Sequence, residues 1–299
     1  MILNKNYQRD ILVPFTLNGS KIRGKIVRLS GITTKILKKH NYPKSISLLL
    51  SEVMANCCCL ASTLKFNGKF TLQMSSQGSI RTLMSDFSSD GALRAYASFD
   101  KEKLKKFKIK DFNDLQKIMS KGYIAFTTSL NNSNERYQGI TPIEEGGLVN
   151  SILNYLKNSE QIDTEIKSFK SFRNGYFLSG AIIIQKMPDN NSFQENFEES
   201  KVFLQSLKND EFFAENNLQN ILFNLFHKFS IRVHKNKIIT DLCSCNVKKV
   251  QDTINKLNKK DLNKFILPNG NIEVICEFCK NKNIFNGKNL ELLTQYTKN

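Results

Sequence analysis

Apolar positions follow two rhythms over residues 1–189. Ile32 to His40 places them at helical spacing and stops at Asn41-Tyr42-Pro43, where proline cannot continue a helix. A long helix is predicted next, with Pro43 in its first turn. Its apolar residues Ile46, Leu49, Leu50, Val53, Met54, Cys57, Leu60, Ala61 and Leu64 fall three or four apart, and it ends near Asn67-Gly68. Period-two alternation then takes over. Phe70, Leu72 and Met74 alternate, Ser88-Ser89-Asp90-Gly91 turns between Arg81–Phe87 and Ala92–Phe99, and Asn131-Asn132-Ser133-Asn134 separates Tyr123–Ser129 from Arg136–Thr141. A helix over Leu148–Leu156 precedes two more strands, Ile162–Phe172 and Tyr176–Met187, joined by Asn174-Gly175, a strong hairpin signal. Hairpin-joined strands with helices between them predict an α+β fold with a largely antiparallel sheet.

Met187-Pro188-Asp189-Asn190-Asn191-Ser192 breaks the pattern. Beyond it, Phe193–Leu207 and Leu218–Phe229 have helical spacing and Ile231–Leu242 reads as strand. Three parts are expected: an N-terminal α+β core over 1–189, an amphipathic helical linker over 190–240, and a small C-terminal module over 241–299. No repeat of 20–50 residues is present.

Composition changes this picture little. At 40% apolar and 24% charged, the 299-residue chain is not a disordered one, and it is long enough to bury a sizeable core. Its net charge of +17 raises nucleic acid, an anionic membrane or an acidic partner. Lysine outnumbers arginine 36 to 8 and asparagine reaches 34, which a general drift in residue usage explains better than a phosphate-reading surface. The charge is also uneven: +13 on residues 1–189, zero on 190–240 and +4 on 241–299. Lys5, Arg9 and Asp10 interrupt what would be the apolar stretch of a signal peptide, and the densest apolar run, Ala181–Ile184, falls short of the ~20 residues of a membrane helix. A cytosolic protein without a membrane span is expected, and seven cysteines there call for something other than structural disulfides.

Four of them supply the strongest signal. Cys243-Ser244-Cys245 and Cys276-Glu277-Phe278-Cys279, thirty residues apart, can converge on one tetrahedral zinc ion. The second pair should cap a hairpin between Ile272–Ile275 and Asn283–Asn286, and a 59-residue module has reason to need a metal staple. Two readings stay open on spacing alone. One is an inert zinc ribbon. The other is a redox switch, because zinc-held thiolates are what peroxide or hypochlorite attacks and each pair is near enough in sequence to close a disulfide.

The chain resembles the heat-shock protein 33 family of redox-regulated chaperones. Besides the cysteine spacing, His40-Asn41-Tyr42-Pro43, Thr63-Leu64-Lys65-Phe66-Asn67-Gly68, Glu135-Arg136-Tyr137-Gln138-Gly139, Gln185-Lys186-Met187-Pro188 and Ile221–His227 look like its motifs, in family order. The resemblance implies a cytoplasmic, ATP-independent holdase for oxidative and heat stress, latent while reduced and zinc-bound, and no turnover enzyme. Oxidation would form Cys243–Cys245 and Cys276–Cys279, release zinc, loosen the linker, drive homodimerisation and let the protein hold unfolding clients. Linker residues Phe193, Phe197, Phe203, Leu207, Phe212, Phe213, Leu222 and Phe226 suit a segment that packs on the sheet in one state and exposes apolar surface in the other. The chain departs from the family at Asn246-Val247-Lys248-Lys249, where a serine and an arginine-containing turn are frequent, and in its positive charge.

Two rivals remain: a zinc-ribbon nucleic-acid-binding protein using the charge, and a thiol oxidoreductase using Cys276 and Cys279. Other signals are weak. Cys57-Cys58-Cys59 lies within the long helix, where neighbours point about 100° apart, so these read as small buried residues. Gly19–Ile26 nearly spells a phosphate loop but carries Ile26 where Ser or Thr would bind Mg²⁺. His40, His227 and His234 read as structural or surface residues, Glu135-Arg136 as a hairpin ion pair, and Lys101–Lys110 as a solvated face.

Overall fold

The computed structural model describes residues 10–63, 67–107, 118–119, 121–131, 135–188, 194–257, 259–288 and 292–296. Expectations that fall on Leu64–Phe66, on 108–110 of the lysine run, on 132–134, on Phe193 and on the 189/190 boundary lie outside these residues.

In chain order the N-terminal part comprises β1 (Ile11–Asn18), β2 (Ile22–Leu29), α1 (Gly31–Lys38), α2 (Lys44–Thr63), β3 (Gly68–Ser75), β4 (Ile80–Ser88), β5 (Leu93–Phe99), α3 (Lys101–Lys105), β6 (Tyr123–Leu130), β7 (Arg136–Pro142), α4 (Gly147–Asn158), β8 (Thr164–Arg173) and β9 (Tyr176–Lys186). There follow α5 (Gln194–Ser206), α6 (Asn209–Ala214), α7 (Leu218–Leu225), β10 (Ser230–Val233) and β11 (Lys237–Ile238). The last part holds α8 (Val247–Asn255), α9 (Lys259–Asn263), β12 (Asn271–Ile275), β13 (Lys282–Asn286) and β14 (Leu292–Tyr296).

Every strand pair is antiparallel. One sheet runs β10-β1-β2-β9-β8 with β11 also on β1, and a second runs β5-β4-β3-β6-β7. Asn174 and Gly175 both take positive φ, 52° and 79°, as the tight turn between β8 and β9 requires. Strand β1 escaped the sequence reading because Pro14 argues against an interior strand; here it pairs with Lys25, and its carbonyl accepts from His234 N–H at 2.9 Å.

Helix α2 lies between these two sheets, packed on β9 of one and β4 of the other. Leu50, Val53, Met54 and Ala55 are buried all round it, the signature of a core helix. By length and composition Lys44–Ser62 could cross a membrane, which corrects the expectation that no apolar run comes near that length. Ser47, Ser51, Glu52 and Asn56 mask it in the sequence, and 83% of its most apolar window is buried inside the protein. Cys57, Cys58 and Cys59 are buried as expected, and burial raises all three thiols, Cys57 to about 12. Cys57 Sγ–H donates to Ser85 of one sheet at 3.2 Å and Cys59 Sγ–H to Ala181 of the other at 3.6 Å, so the angular spread serves packing.

Residues 194–238 cover the outer face of the six-stranded sheet. Phe197, Leu204, Phe212, Leu218, Ile221, Leu222 and Phe226 are buried there with Phe15, Phe169 and Ile182. Phe212 stacks on Phe169 at 4.0 Å and lies over Gly180, where a Cβ would sit 2.3 Å from its ring. Buried Arg28 of β2 donates to the carbonyls of Phe212 and Glu215 (2.6 Å for the latter), and burial lowers its guanidinium to about 10.

Candidate metal centre

The sequence of residues 241–299 supplies little apolar burial. Ile254, Ile272 and Phe285 form its buried cluster. β12 and β13 pair from Asn271↔Asn286 to Ile275↔Lys282, and the turn they project carries the second cysteine pair, as expected. That turn is closed by Cys276 N–H to Asn281 O and Lys280 N–H to Cys276 O, both 2.9 Å, with Lys280 at φ 60°. The first pair lies on extended chain between β11 and α8, and α8 begins at Val247.

The four sulfurs meet. Cys243 and Cys276 approach to 3.8 Å, Cys245 and Cys279 to 3.4 Å, and all four lie within 4.8 Å of one another. Sulfurs bonded at ~2.3 Å to a tetrahedral ion are about 3.8 Å apart, so this donor set fits a soft divalent metal in size and chemistry. Cys279 is buried and the other three are half-buried. Four cysteines are thus placed to hold a metal ion.

Electrostatics show why four bare thiolates cannot share this space. Cys243 is lowered to about 4 by the S–H of Cys276, with added help from the Cys245 N–H and Arg94. Cys276 is pushed up by its contact with that thiolate, and Cys245 rises to about 12 through burial and its sulfur neighbours. One negative charge is welcome and further ones repel, unless a cation is present.

The centre is held against the N-terminal part from several sides. Thr240 exchanges backbone hydrogen bonds with the β4–β5 turn, its N–H to Gly91 O at 3.0 Å and its O from Leu93 N–H at 2.8 Å. Asp241, 8% exposed, pairs with Lys39 at 2.6 Å and Lys35 at 3.6 Å. Arg94 of β5 reaches Cys243 Sγ at 3.5 Å. Phe278, at the tip of the second knuckle, lies under Arg94 and edge-on to Tyr96, and its carbonyl meets His40 Nε2 at 2.9 Å. Lys264, Lys280 and Lys282 pair with Asp261, Glu277 and Glu273.

Sequence reasoning found all four sulfurs and placed His40 as structural, but it missed Arg94, Asp241 and the role of Phe278. Signals for two of them existed. An arginine in a chain with 36 lysines marks a place where a planar fork is needed, and a phenylalanine between two candidate metal ligands has no reason to face water.

Comparisons with known proteins agree with this geometry. The family profile described as Hsp33 protein matches residues 10–286. A 33 kDa chaperonin of Neisseria meningitidis serogroup B is 29% identical over 95% of this chain and 91% of its own length. One of Shewanella loihica is 29% identical over 95% and 96%. The crystal structure of the 33 kDa chaperonin (heat shock protein 33 homolog) of Thermotoga maritima superposes with a TM-score of 0.82 at 19% identity, covering 95% of this chain and 97% of that one, which establishes a shared fold. On the extent of the profile match, the chain belongs to the Hsp33 protein family.

Proposed function

We propose that the protein is a redox-regulated chaperone: an ATP-independent holdase whose client surface is uncovered when Cys243, Cys245, Cys276 and Cys279 are oxidised. The observation that carries this is the joining of two features in one segment. Four mutually close sulfurs terminate a stretch whose phenylalanines are packed on the sheet in the reduced state. Relatives named 33 kDa chaperonin support the chaperone role.

Zinc is the expected ion, held by the four cysteines; when bound it would keep all four sulfurs as thiolates. Oxidation pairs the sulfurs as Cys243–Cys245 and Cys276–Cys279. This is the pairing that the family resemblance implies; the sulfurs that lie nearest before oxidation are Cys243 with Cys276 and Cys245 with Cys279. Each sulfur pair gives two electrons to one hydrogen peroxide, which takes two protons from solvent and becomes two waters. The new S–S bonds end ligation, and with it a binding free energy on the order of 10–16 kcal/mol for sites of this type. The small buried cluster around Phe285 offers little to replace it. Residues 241–299 then loosen, the pull on 190–240 is lost, and the apolar side chains of the latter become available to unfolding cytosolic clients and to a second copy of the chain.

Free thiols, zinc content, oligomer mass and suppression of a model client's aggregation, before and after peroxide at elevated temperature, test this reading. Loss of one zinc and four thiols with a gain in holdase activity is expected. Retention of the metal with unchanged activity overturns it.

A further inference from the structure

Among the described residues, Arg94 is the one side chain on the N-terminal sheets that touches both a cysteine sulfur of the centre and the opposite knuckle. Its Nε and Nη2 donate to Asp86 Oδ2 at 2.8 and 2.7 Å. Asp86 is itself fixed, 3% exposed, by Thr71 Oγ1–H at 2.5 Å and Lys69 at 3.3 Å. With two donors committed to that carboxylate, the fork has its orientation set before the cysteines arrive. The remaining Nη1 points to Cys243 Sγ at 3.5 Å. The flat face carries the Phe278 ring, its centroid 4.0 Å from Cζ, and Tyr96 meets that ring edge-on with centroids 5.0 Å apart. A second clamp converges on the same strand: His40 holds the Phe278 carbonyl, Tyr42 O–H lies 2.9 Å from His40 Nδ1, and Tyr42 O accepts from Ala97 N–H at 2.8 Å.

We propose that Arg94 is a positioning residue of the switch, coupling the four-cysteine centre to the five-stranded sheet by holding the Cys243 sulfur and the Phe278 ring at once. This rests on the redox-switch reading above. A guanidinium N–H bonds well to an anionic sulfur and poorly to a neutral disulfide sulfur, so oxidation at Cys243 removes that bond. Bond formation between Cys276 and Cys279 reshapes the turn that carries Phe278, which withdraws the ring from its seat. One residue therefore senses both pairs, and docking of residues 241–299 is tied to the reduced centre. Lysine cannot substitute, since a point charge lacks the flat face and the fixed fork that perform these tasks together.

Zinc-loaded full-length wild type, Arg94→Met, Arg94→Lys and Phe278→Ala are compared in two ways. Hydrogen exchange is followed in peptides spanning 93–99, 240–245 and 276–280. The rate of zinc transfer to a chromogenic chelator is followed under a peroxide series. Arg94→Met is expected to exchange at least tenfold faster in these peptides without oxidant and to release zinc about tenfold faster with it; Arg94→Lys should fall between it and wild type. Phe278→Ala leaves every sulfur and the Arg94–Asp86 pair in place, and it should show the same faster exchange, which keeps the test valid if Arg94→Met fails to load zinc. Wild-type exchange in Phe278→Ala, or wild-type exchange and release in Arg94→Met, overturns the inference while leaving the switch standing. Zinc retained by wild type under peroxide overturns both.

Discussion

The two ends of this chain are held together by different physics. Residues 10–188 bury α2 between two antiparallel sheets, with a hydrophobic core that runs from Leu12 to Ile183. Among the described residues, the C-terminal module has a cluster of three buried apolar side chains and four sulfurs. A domain held by dispersed packing loses stability in small steps, whereas one held by a single multidentate contact loses it at once. Between them, residues 194–238 pack on the first and lead to the second. On the proposed reading, that arrangement would let an oxidant act on one end and leave the other as scaffold.

The contrast can be broken most forcefully at a ligand. Cys279→Ser should abolish stoichiometric metal binding and unfold residues 241–299, a loss on the order of 10 kcal/mol locally, while protease-resistant fragments show an intact N-terminal part. Loss of the N-terminal fold as well would erase the distinction. Next in size is Phe212→Ala. Removal of the ring stacked on Phe169 should cost about 3–5 kcal/mol of linker packing and raise holdase activity in the reduced state, with metal content unchanged by atomic absorption.

A smaller effect concerns pH. Burial lowers His40 to about 4 from an ordinary value near 6.5. Between those values the unfolded chain takes up a proton that the folded one refuses, so this contribution is complete above about pH 6.5 and is lost as pH falls toward 4. Unfolding titrations of wild type and His40→Asn should keep a constant separation above that window and converge within it; a separation unchanged across the window would remove His40 from the interface. Smallest is Cys58→Ala, at on the order of 1 kcal/mol, with peroxide response unchanged. With the metal chelated away, so that residues 241–299 open while the N-terminal core stays folded, a thiol reagent should count four reactive cysteines, and seven only after denaturation. Early reaction of a fifth would place reactivity in the core helix.

Helical spacing from Ile46 to Ala61, the alternation in β3 to β9 and the Asn174-Gly175 turn were legible in the sequence because each is a local pattern with a local cause: the period of the element and the φ of the turn. The clustering of the four cysteines was legible too, since metal chemistry restricts both residue type and spacing. Local pattern could not separate a membrane-length apolar helix from a core helix, as α2 shows, because both are apolar all round and differ only in what surrounds them. Nor could it make Pro14 part of a strand, find the seat of Phe278, or join Asp86, Arg94 and Cys243. Those contacts link residues up to 238 positions apart. Their energies depend on orientation and exclusion of water, which exist only once the sheets and the cysteine knuckles have been brought face to face.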